Sequence, residues 1–334
     1  MSFIPEGFEP ADDMCHVRPA DTPNWTESYA FWAYWEDHYL YLHFQRHPDD
    51  SGLWRGYATV QREDGTVVAS HNFGREWSER GPGYQQIHAT CGEPFETFKV
   101  EVDTIGQYAD WQTLRESPLT SLDDNIDLLK VDLDFESISE TYAPMRGEIT
   151  NHSNASWTHF TPCKVKGSVT IGDDIHTIDS LGWRDHSAGV RAFESMATGY
   201  MLTGVFPSGR SFMAIGVGTL QEDGSTQFAG MGGVTIDGKL YYATEIEPPE
   251  KTCTVPEPDI ELGTLRFITE HGESSIRLST KNQGVPFALL PPNFESIGLP
   301  DGLESRLFYH EWRLVAEWDG EVGIGGWEPC LLTE

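Results

Sequence analysis

Residues 27–35 read Glu-Ser-Tyr-Ala-Phe-Trp-Ala-Tyr-Trp, and the pattern along them repeats every two residues. Successive side chains of a β-strand point to opposite faces, so Tyr29 and Phe31 share one face while Trp32 and Tyr34 share the other. Both faces are therefore rich in aromatic side chains. We expect residues 27–35 to form a strand that is covered on both sides.

The two-residue period continues along the chain, whereas helical patterning is scarce and predicts only a short helix at Ala109–Glu116. Tight-turn pairs such as Asp237-Gly238 and Asp319-Gly320 separate many of the apolar runs. Many short strands joined by such turns indicate an antiparallel sandwich or barrel and disfavour a doubly wound nucleotide-binding fold. Further strands are predicted at Tyr39–Phe44, Gly56–Gln61, Thr66–Ala69, Thr97–Val102, Leu129–Phe135, Lys164–Ile171, Ile175–Ile178, Met201–Phe206, Ser211–Thr219, Gly232–Ile236, Lys239–Thr244, Leu265–Thr269, Ser275–Ser279 and Leu307–Trp318.

The polar segment Tyr142–Asn154, which contains a proline, a glycine and two asparagines, is the best position for a domain boundary. Residues 1–150 and 151–334 are each long enough for a barrel of about eight strands. The prediction is an all-β protein of two antiparallel β-barrel domains in tandem, 1–150 and 151–334, with few short helices.

Charge and composition exclude several classes of function. The 334 residues include 22 Lys and Arg against 53 Asp and Glu, a formal net charge of −31 that repels nucleic acid and anionic lipid. No apolar run approaches the roughly 18 residues of a membrane span, and residues 1–23 lack an apolar signal core. Five scattered cysteines are typical of reduced thiols. We expect a cytoplasmic monomer or homodimer that neither binds nucleic acid nor inserts into a membrane.

Neither a nucleophile elbow nor a phosphate loop is present, and the histidines do not form a familiar metal site. His38, His43 and His47 are close in sequence, but in a strand His38 faces away from the other two. We interpret them as ordinary polar histidines, and we expect no metal and no cofactor.

The most unusual stretch is Gly182–Gly189, Gly-Trp-Arg-Asp-His-Ser-Ala-Gly. It can be a polar turn held by an Arg184–Asp185 pair, or it can be a buried acid–base cluster. In a regular strand Asp185 and His186 point to opposite faces, so both reach one cavity only where a bulge or turn intervenes. The flanking glycines would permit such a bulge.

The segment Arg184–Ser187 resembles the Arg-Asp-His-Ser-Trp-Gly motif of the hydroxyneurosporene synthase-like family, the carotenoid 1,2-hydratase relatives with tandem lipocalin-like barrels. Other fragments resemble strands of that family in the same order, so the resemblance covers most of the chain. They are Asn24–Tyr29, Glu93–Glu96, Val100–Asp103, Val131–Phe135, His159 with Gly167–Val169, and Gly323–Glu328. Ala188 stands where family members usually have Trp, which removes an aromatic wall.

The resemblance implies two lipocalin-like barrels and a cofactor-independent enzyme for a hydrophobic small-molecule substrate, terpenoid-like or polyketide-like. Hydration or dehydration at a carbon–carbon double bond is the leading reaction. Isomerisation or cyclisation, including pericyclic cyclisation, is the alternative on the same scaffold. A non-catalytic carrier of hydrophobic ligands is a further alternative.

Protonation of an alkene requires a neutral carboxyl group, which burial of Asp185 near the domain junction would supply by raising its pKa. His186 would activate water or orient Asp185. His159 and Glu27 are further catalytic candidates, and an unpaired charge on Glu27 inside an aromatic strand would be costly. Arg184 would work against the acid if it paired with Asp185.

Aromatic side chains could line the apolar cavity and stabilise a developing carbocation. The predicted substrate-binding residues are Trp25, Tyr29, Trp32, Trp183, Arg184, Trp312 and Trp327. Three charged residues near the closing strands, Glu311, Arg313 and Glu328, are possible partners of Arg184 rather than catalytic groups.

Overall fold

The computed structural model describes residues 3–19, 22–48, 50, 52–116, 119, 125–145, 157–190, 196–221, 226–290, 294–298 and 307–332. In these ranges the helices are a 3-10 turn at Pro10–Asp13 and one α-helix, α1, at Trp111–Glu116. None of the described helices has the length and apolar character that crossing a membrane requires. The predicted all-β class with few short helices is confirmed.

The first sheet contains eleven antiparallel strands, and eight of them close into a barrel. They are β1 Trp25–Trp35, β2 His38–Arg46, β3 Leu53–Gln61, β4 Thr66–Arg75, β5 Gly83–Tyr84, β6 Ile87–Cys91, β7 Thr97–Asp110, β8 Ile126–Ser137, β9 Tyr142–Met145, β10 Trp157–Ile171 and β11 Asp174–Val190. The barrel order is β4-β3-β2-β1-β11-β10-β8-β7, and pairing of β7 with β4 closes it.

The second sheet contains nine strands, eight of which form a ring. They are β12 Met196–Val205, β13 Ser211–Leu220, β14 Thr226–Ile236, β15 Lys239–Glu247, β16 Glu261–Thr269, β17 Gly272–Leu290, β18 Phe294–Ile297, β19 Leu307–Trp318 and β20 Glu321–Leu332. The ring order is β16-β15-β14-β13-β12-β20-β19-β17, and β16 pairs with β17. The structure confirms the prediction of two antiparallel barrels in tandem, as one closed eight-stranded barrel and one ring-like sheet.

Two-residue hairpins occur where the sequence predicts them. Asp237-Gly238 joins β14 to β15, and Asp319-Gly320 joins β19 to β20. All four residues have positive φ, from 52° to 80°. That conformation matches the right-handed twist of the flanking strands, and Asp-Gly is among the few pairs that adopt it readily.

Strand β1 is buried along its whole length, which confirms that both of its faces are covered. It lies between β2 and β11. Tyr29 and Phe31 face the barrel interior, where Phe31 packs against Phe98. Trp32 and Tyr34 face outward and pack with side chains of the second sheet. The outer face of β1 is thus part of the contact between the first barrel and the second sheet.

The chain divides between the two sheets after Val190, because β10 and β11 pair with β8 and β1 of the first barrel. The predicted domains 1–150 and 151–334 therefore do not coincide with the two sheets. The segment Tyr142–Asn154 that suggested the boundary contains β9, which pairs with β10. The rest of that segment, 146–154, lies outside the described residues.

Tyr142 links the two rings through its hydroxyl group. It donates to the backbone oxygen of Ser211 at 3.0 Å, lies 3.0 Å from the Ser211 hydroxyl, and accepts from Thr235 Oγ1 at 2.9 Å. All three residues are buried. We expect Tyr142→Phe to lower the free energy of unfolding by about 1–3 kcal/mol, because it leaves buried polar atoms without a partner.

Urea unfolding of Tyr142→Phe should be compared with Tyr84→Phe. Tyr84 is equally buried, but among the described residues its hydroxyl makes one long contact, of 3.5 Å, to the Gly56 oxygen. We expect a clearly smaller loss for Tyr84→Phe. Equal losses would show that the Tyr142 contacts do not stabilise the packing of the rings.

Candidate functional site

An aromatic layer fills the contact between the two rings. It is defined by Trp32, Tyr39, Tyr41, Tyr57, Phe287 and Tyr309, all of them buried. Trp32 stacks on Tyr41 with ring centroids 5.4 Å apart, and Phe287 stacks on Tyr309 at 4.9 Å. The hydroxyls of Tyr57 and Tyr309 lie 2.7 Å apart. Residues from β1, β2 and β3 therefore meet residues from β17 and β19 in one buried aromatic cluster.

Glu311 places a carboxyl group inside this aromatic layer. Its Oε2 accepts hydrogen bonds from Trp32 Nε1 at 3.1 Å and from the Tyr39 hydroxyl at 2.6 Å. Its backbone oxygen accepts one from Gln61 Nε2 at 3.1 Å. The side chain is fully buried. Three donors of the first barrel are thus aimed at one residue of the second ring.

Burial raises the pKa of Glu311, and hydrogen bonds from Glu328, Tyr39 and Trp32 oppose that shift without cancelling it. Oε1 of Glu311 makes no hydrogen bond within the part of the chain that the structure describes. The pKa of Tyr39 is also raised well above its usual range by burial, so its phenol remains a donor. A neutral Glu311 would carry its proton on Oε1, where it can be donated.

A second polar group lies inside one end of the first barrel. This barrel-end cluster consists of Asp13, His16, Glu27, His159, Arg184 and His186. Glu27 Oε1 lies 2.9 Å from His186 Nε2 and 2.8 Å from His16 Nδ1, and Oε2 accepts from Arg46 Nε at 3.2 Å. Burial disfavours the carboxylate of Glu27, but the hydrogen bonds from His16 and His186 outweigh it and lower the pKa to about 2.

Arg184 pairs with Asp13 in the same cluster. Its Nη1 and Nη2 donate to the two carboxylate oxygens of Asp13 at 2.6 and 3.1 Å, and Asp13 also accepts from the backbone of Phe95. Burial raises the pKa of Asp13, while the Arg184 charge acts against that shift. The suggested partners Glu311, Arg313 and Glu328 are therefore not those of Arg184. Sequence spacing gave no signal for a partner 171 residues away.

The segment Gly182–Gly189 is part of β11 and continues in regular register against β1 and β10. Gly182 permits close approach of strands rather than a turn, since a Cβ there would lie 2.1 Å from the Trp32 oxygen. His186 consequently faces the barrel interior, where it stacks on Tyr29 at 3.6 Å. Asp185 faces outward, half-buried, and accepts from Thr158 Oγ1 at 3.0 Å.

The structure places the predicted residues on both faces of the first barrel, in the core of the second ring and at the start of β1. Inside the first barrel it brings together Glu27, Tyr29, His159, Arg184 and His186. On the outer face of that barrel lie Trp32, Trp183 and Asp185. The core of the second ring holds Trp312 and Trp327. Trp25 is buried at the start of β1.

Asp185 and His186 are therefore separated by the sheet, and the acid–base pair is not assembled. Glu311 is the buried carboxyl residue of the aromatic layer that the motif-based reasoning did not place in the site. The available signal was its position in the predicted strand Leu307–Trp318, two residues from Tyr309 on the same face. A carboxylate at that position of an aromatic strand face is costly unless it is neutral or hydrogen-bonded.

Comparison with solved structures shows the fold. A protein from Nitrosomonas europaea provisionally assigned as AttH is 11% identical, with a TM-score of 0.61 and complete coverage of both chains. CghA determined with Sch210972 is 12% identical, with a TM-score of 0.57 over 93% of this chain and 89% of CghA. CghA alone gives a TM-score of 0.51. No curated protein sequence gives a significant match.

One family matches at the sequence level, and it is described as a domain of unknown function, DUF7064. Its match covers residues 9–329, which include the aromatic layer, Glu311 and the barrel-end cluster. Membership of the hydroxyneurosporene synthase-like family stays a prediction. Because the match spans nearly the whole chain, the protein belongs to the DUF7064 family.

Proposed function

We propose that the protein is an enzyme that binds a lipophilic small molecule against the aromatic layer and acts on it with Glu311 as a neutral acid. The observation that carries this proposal is the fully buried Glu311 carboxyl, whose pKa burial raises and whose Oε2 is fixed by Trp32 and Tyr39. Positioned acids with such perturbed pKa values are typical of catalytic sites.

The substrate class follows from the chemistry of the surrounding rings. Trp32, Tyr41 and Phe287 offer π faces and little hydrogen-bonding capacity, which suits a hydrocarbon-rich molecule and favours a developing carbocation. A terpenoid-like or polyketide-like skeleton fits this description. The resemblance to the hydroxyneurosporene synthase-like family supports the same class, and CghA, a protein of similar fold, was determined with Sch210972.

Isomerisation or cyclisation is the reaction that the geometry favours over hydration. Hydration needs a base that activates water, and the Asp185–His186 pair expected for that task is split across the sheet. The Glu328 side chain donates a hydrogen bond to Glu311, so Glu328 does not supply that base. Glu311 would protonate one carbon from Oε1, and the resulting Glu311 carboxylate would remove a proton from another carbon, which shifts a double bond or closes a ring without consuming water and restores the neutral acid.

An assay with an unfractionated mixture of candidate substrates tests this proposal. Wild-type protein and Glu311→Gln are incubated with an apolar metabolite extract of the host, once in D2O and once in H2(18)O, and the products are analysed by mass spectrometry. We expect a compound that is converted by the wild type and gains deuterium, but no 18O, and that Glu311→Gln converts at least about a hundredfold more slowly.

The matched control is Glu317→Gln, which changes a glutamate of the same strand that is solvent-accessible and paired with Arg277. It should convert the compound at the wild-type rate. Incorporation of 18O would establish hydration instead. Conversion by Glu311→Gln at the wild-type rate would remove Glu311 as the acid, and saturable binding without any conversion would indicate a carrier.

A further inference from the structure

We propose that the barrel-end cluster is a binding site for one divalent transition-metal ion of the zinc class, held by His159, His186 and Asp13. This site is separate from the aromatic layer, because its side chains lie on the interior side of β10 and β11. It extends beyond the function proposed above and does not depend on it.

The strand register creates the histidine pair. His159 on β10 and His186 on β11 are direct cross-strand partners, so their side chains leave the sheet on the same face. The centroids of the two imidazole rings are 5.2 Å apart, and the ring planes are nearly perpendicular. A carboxylate oxygen of Asp13, which also accepts a hydrogen bond from Arg184, completes the group, and the three ligand atoms all lie within 4.8 Å of one another. Two imidazoles and a carboxylate are a common ligand set of zinc.

Buried nitrogens without partners give an independent reason for a ligand here. Both histidines are completely buried. His186 Nδ1 makes no hydrogen bond to any residue the structure describes. His159 Nε2 is also without one, and it lies 3.6 Å from Asp13 Oδ1. That separation is too long for a hydrogen bond but matches two ligands on one ion at about 2.0–2.1 Å each.

Glu27 is positioned to hydrogen-bond the metal ligand His186 without contacting the ion itself. Its Oε1 lies 2.9 Å from Nε2 of His186, the ring nitrogen opposite the unpartnered Nδ1. Metal-bound histidines usually donate their second N–H to a carboxylate, which fixes the tautomer and strengthens the metal bond. The Glu27–His186 contact therefore prepares His186 to bind a metal through Nδ1.

The fixed charges around the cluster are compatible with a dication. Three carboxylates, Asp13, Glu27 and Glu76, face two guanidinium groups, Arg46 and Arg184, so these groups sum to −1. Imidazole nitrogens favour zinc, cobalt, nickel and copper over magnesium or calcium, which prefer oxygen ligands. The ion would also connect the Pro10–Asp13 turn to β10 and β11, and should thereby raise the melting temperature.

Metal binding to untagged full-length protein tests the proposal. After treatment with a chelator, the protein is titrated separately with Zn2+ and Co2+, with calorimetry and the visible absorption of bound Co2+ as readouts. We expect one ion per chain. His159→Gln should weaken binding by more than about 100-fold, because loss of a direct ligand exceeds the 10–100-fold effect of an outer-shell change. Glu27→Gln should fall within that outer-shell range.

Two control variants address the other groups of potential ligands. His16→Gln tests the overlapping set of His16, Glu27 and His186, and His176→Gln tests the more accessible set of Glu36, His38 and His176. His176→Gln should retain wild-type affinity, and His16→Gln should weaken binding no more than Glu27→Gln does, because His16 contacts Glu27 rather than the proposed ion. Binding that is lost in either control but kept in His159→Gln would overturn the assignment, and so would the absence of stoichiometric binding by the wild type.

X-ray absorption of the zinc-loaded wild type gives a readout that does not depend on the stability of the variants. We expect scattering from two imidazole rings and a shell of nitrogen and oxygen at the zinc distances. A spectrum without imidazole scattering, or with a sulfur shell, would contradict the site.

Discussion

Arg184→Met should lower the free energy of unfolding by about 3–5 kcal/mol, the largest loss of stability that we expect from a single change. The substitution keeps an apolar stem of similar length but removes both hydrogen bonds to Asp13. Asp13 is completely buried, so it would have to lose its charge or stay unpaired in an apolar environment. Urea unfolding at neutral pH measures the effect.

Two controls distinguish the stability lost with the buried ion pair from the effect of removing any charged side chain. Arg277→Met disrupts the solvent-accessible pair with Glu317 and should cost less than about 1 kcal/mol. Adding Asp13→Leu to Arg184→Met removes both charges, and should restore much of the lost stability because no unpaired ion remains. A double variant as unstable as the single one would show that the cost arises from packing instead.

Glu311→Gln should reduce the rate of the conversion found in the metabolite assay by roughly a hundredfold to ten-thousandfold, the usual contribution of a positioned acid. Glutamine keeps the shape of the side chain and an oxygen that can accept from Trp32 and Tyr39, so binding should change far less than turnover. For the wild type, the rate should fall as the pH rises through the pKa of Glu311. Steady-state kinetics against pH measure both effects.

The same pKa shift predicts how Glu311 affects stability. Burial raises the pKa of Glu311 in the folded chain above its usual value of 4.5. The folded state then holds a proton that the unfolded state has lost, so Glu311 reduces stability as the pH rises from 4.5 through the folded pKa. Glutamine does not titrate, and Glu311→Gln should therefore lose less stability over that range. An identical pH dependence of urea unfolding in both proteins would contradict a raised pKa.

The all-β class could be predicted from local patterns, because strands and hairpins are determined by the sequence over only a few residues. The two-residue period of Glu27–Trp35 and the Asp-Gly hairpins depend only on backbone geometry and burial. The division between the sheets could not be predicted from them. The pairing of β11 with β1 joins residues about 150 positions apart, as in Tyr29 with His186, and no local signal encodes such a partner.

The position of the candidate site could not be predicted from the motif. The expectation of a buried carboxyl among aromatic rings near the junction of the barrels fits Glu311, whereas the motif directed attention to Asp185. The motif combines residues that the regular alternation of a strand sends to opposite faces: His186 to the barrel interior and Asp185 to the outside. Asp185 and His186 are therefore neighbours in the sequence of β11 but lie on opposite sides of the sheet.

The late position of β10 and β11 affects how the protein can be synthesised. The first barrel is a ring in which these two strands fill the gap between β8 and β1. A nascent chain released only as far as residue 150 has six of the eight barrel strands. It therefore exposes the hydrogen-bonding edges of β1 and β8. Such open edges can pair with strands of other chains, so we expect a chain released only to this length to be prone to aggregation.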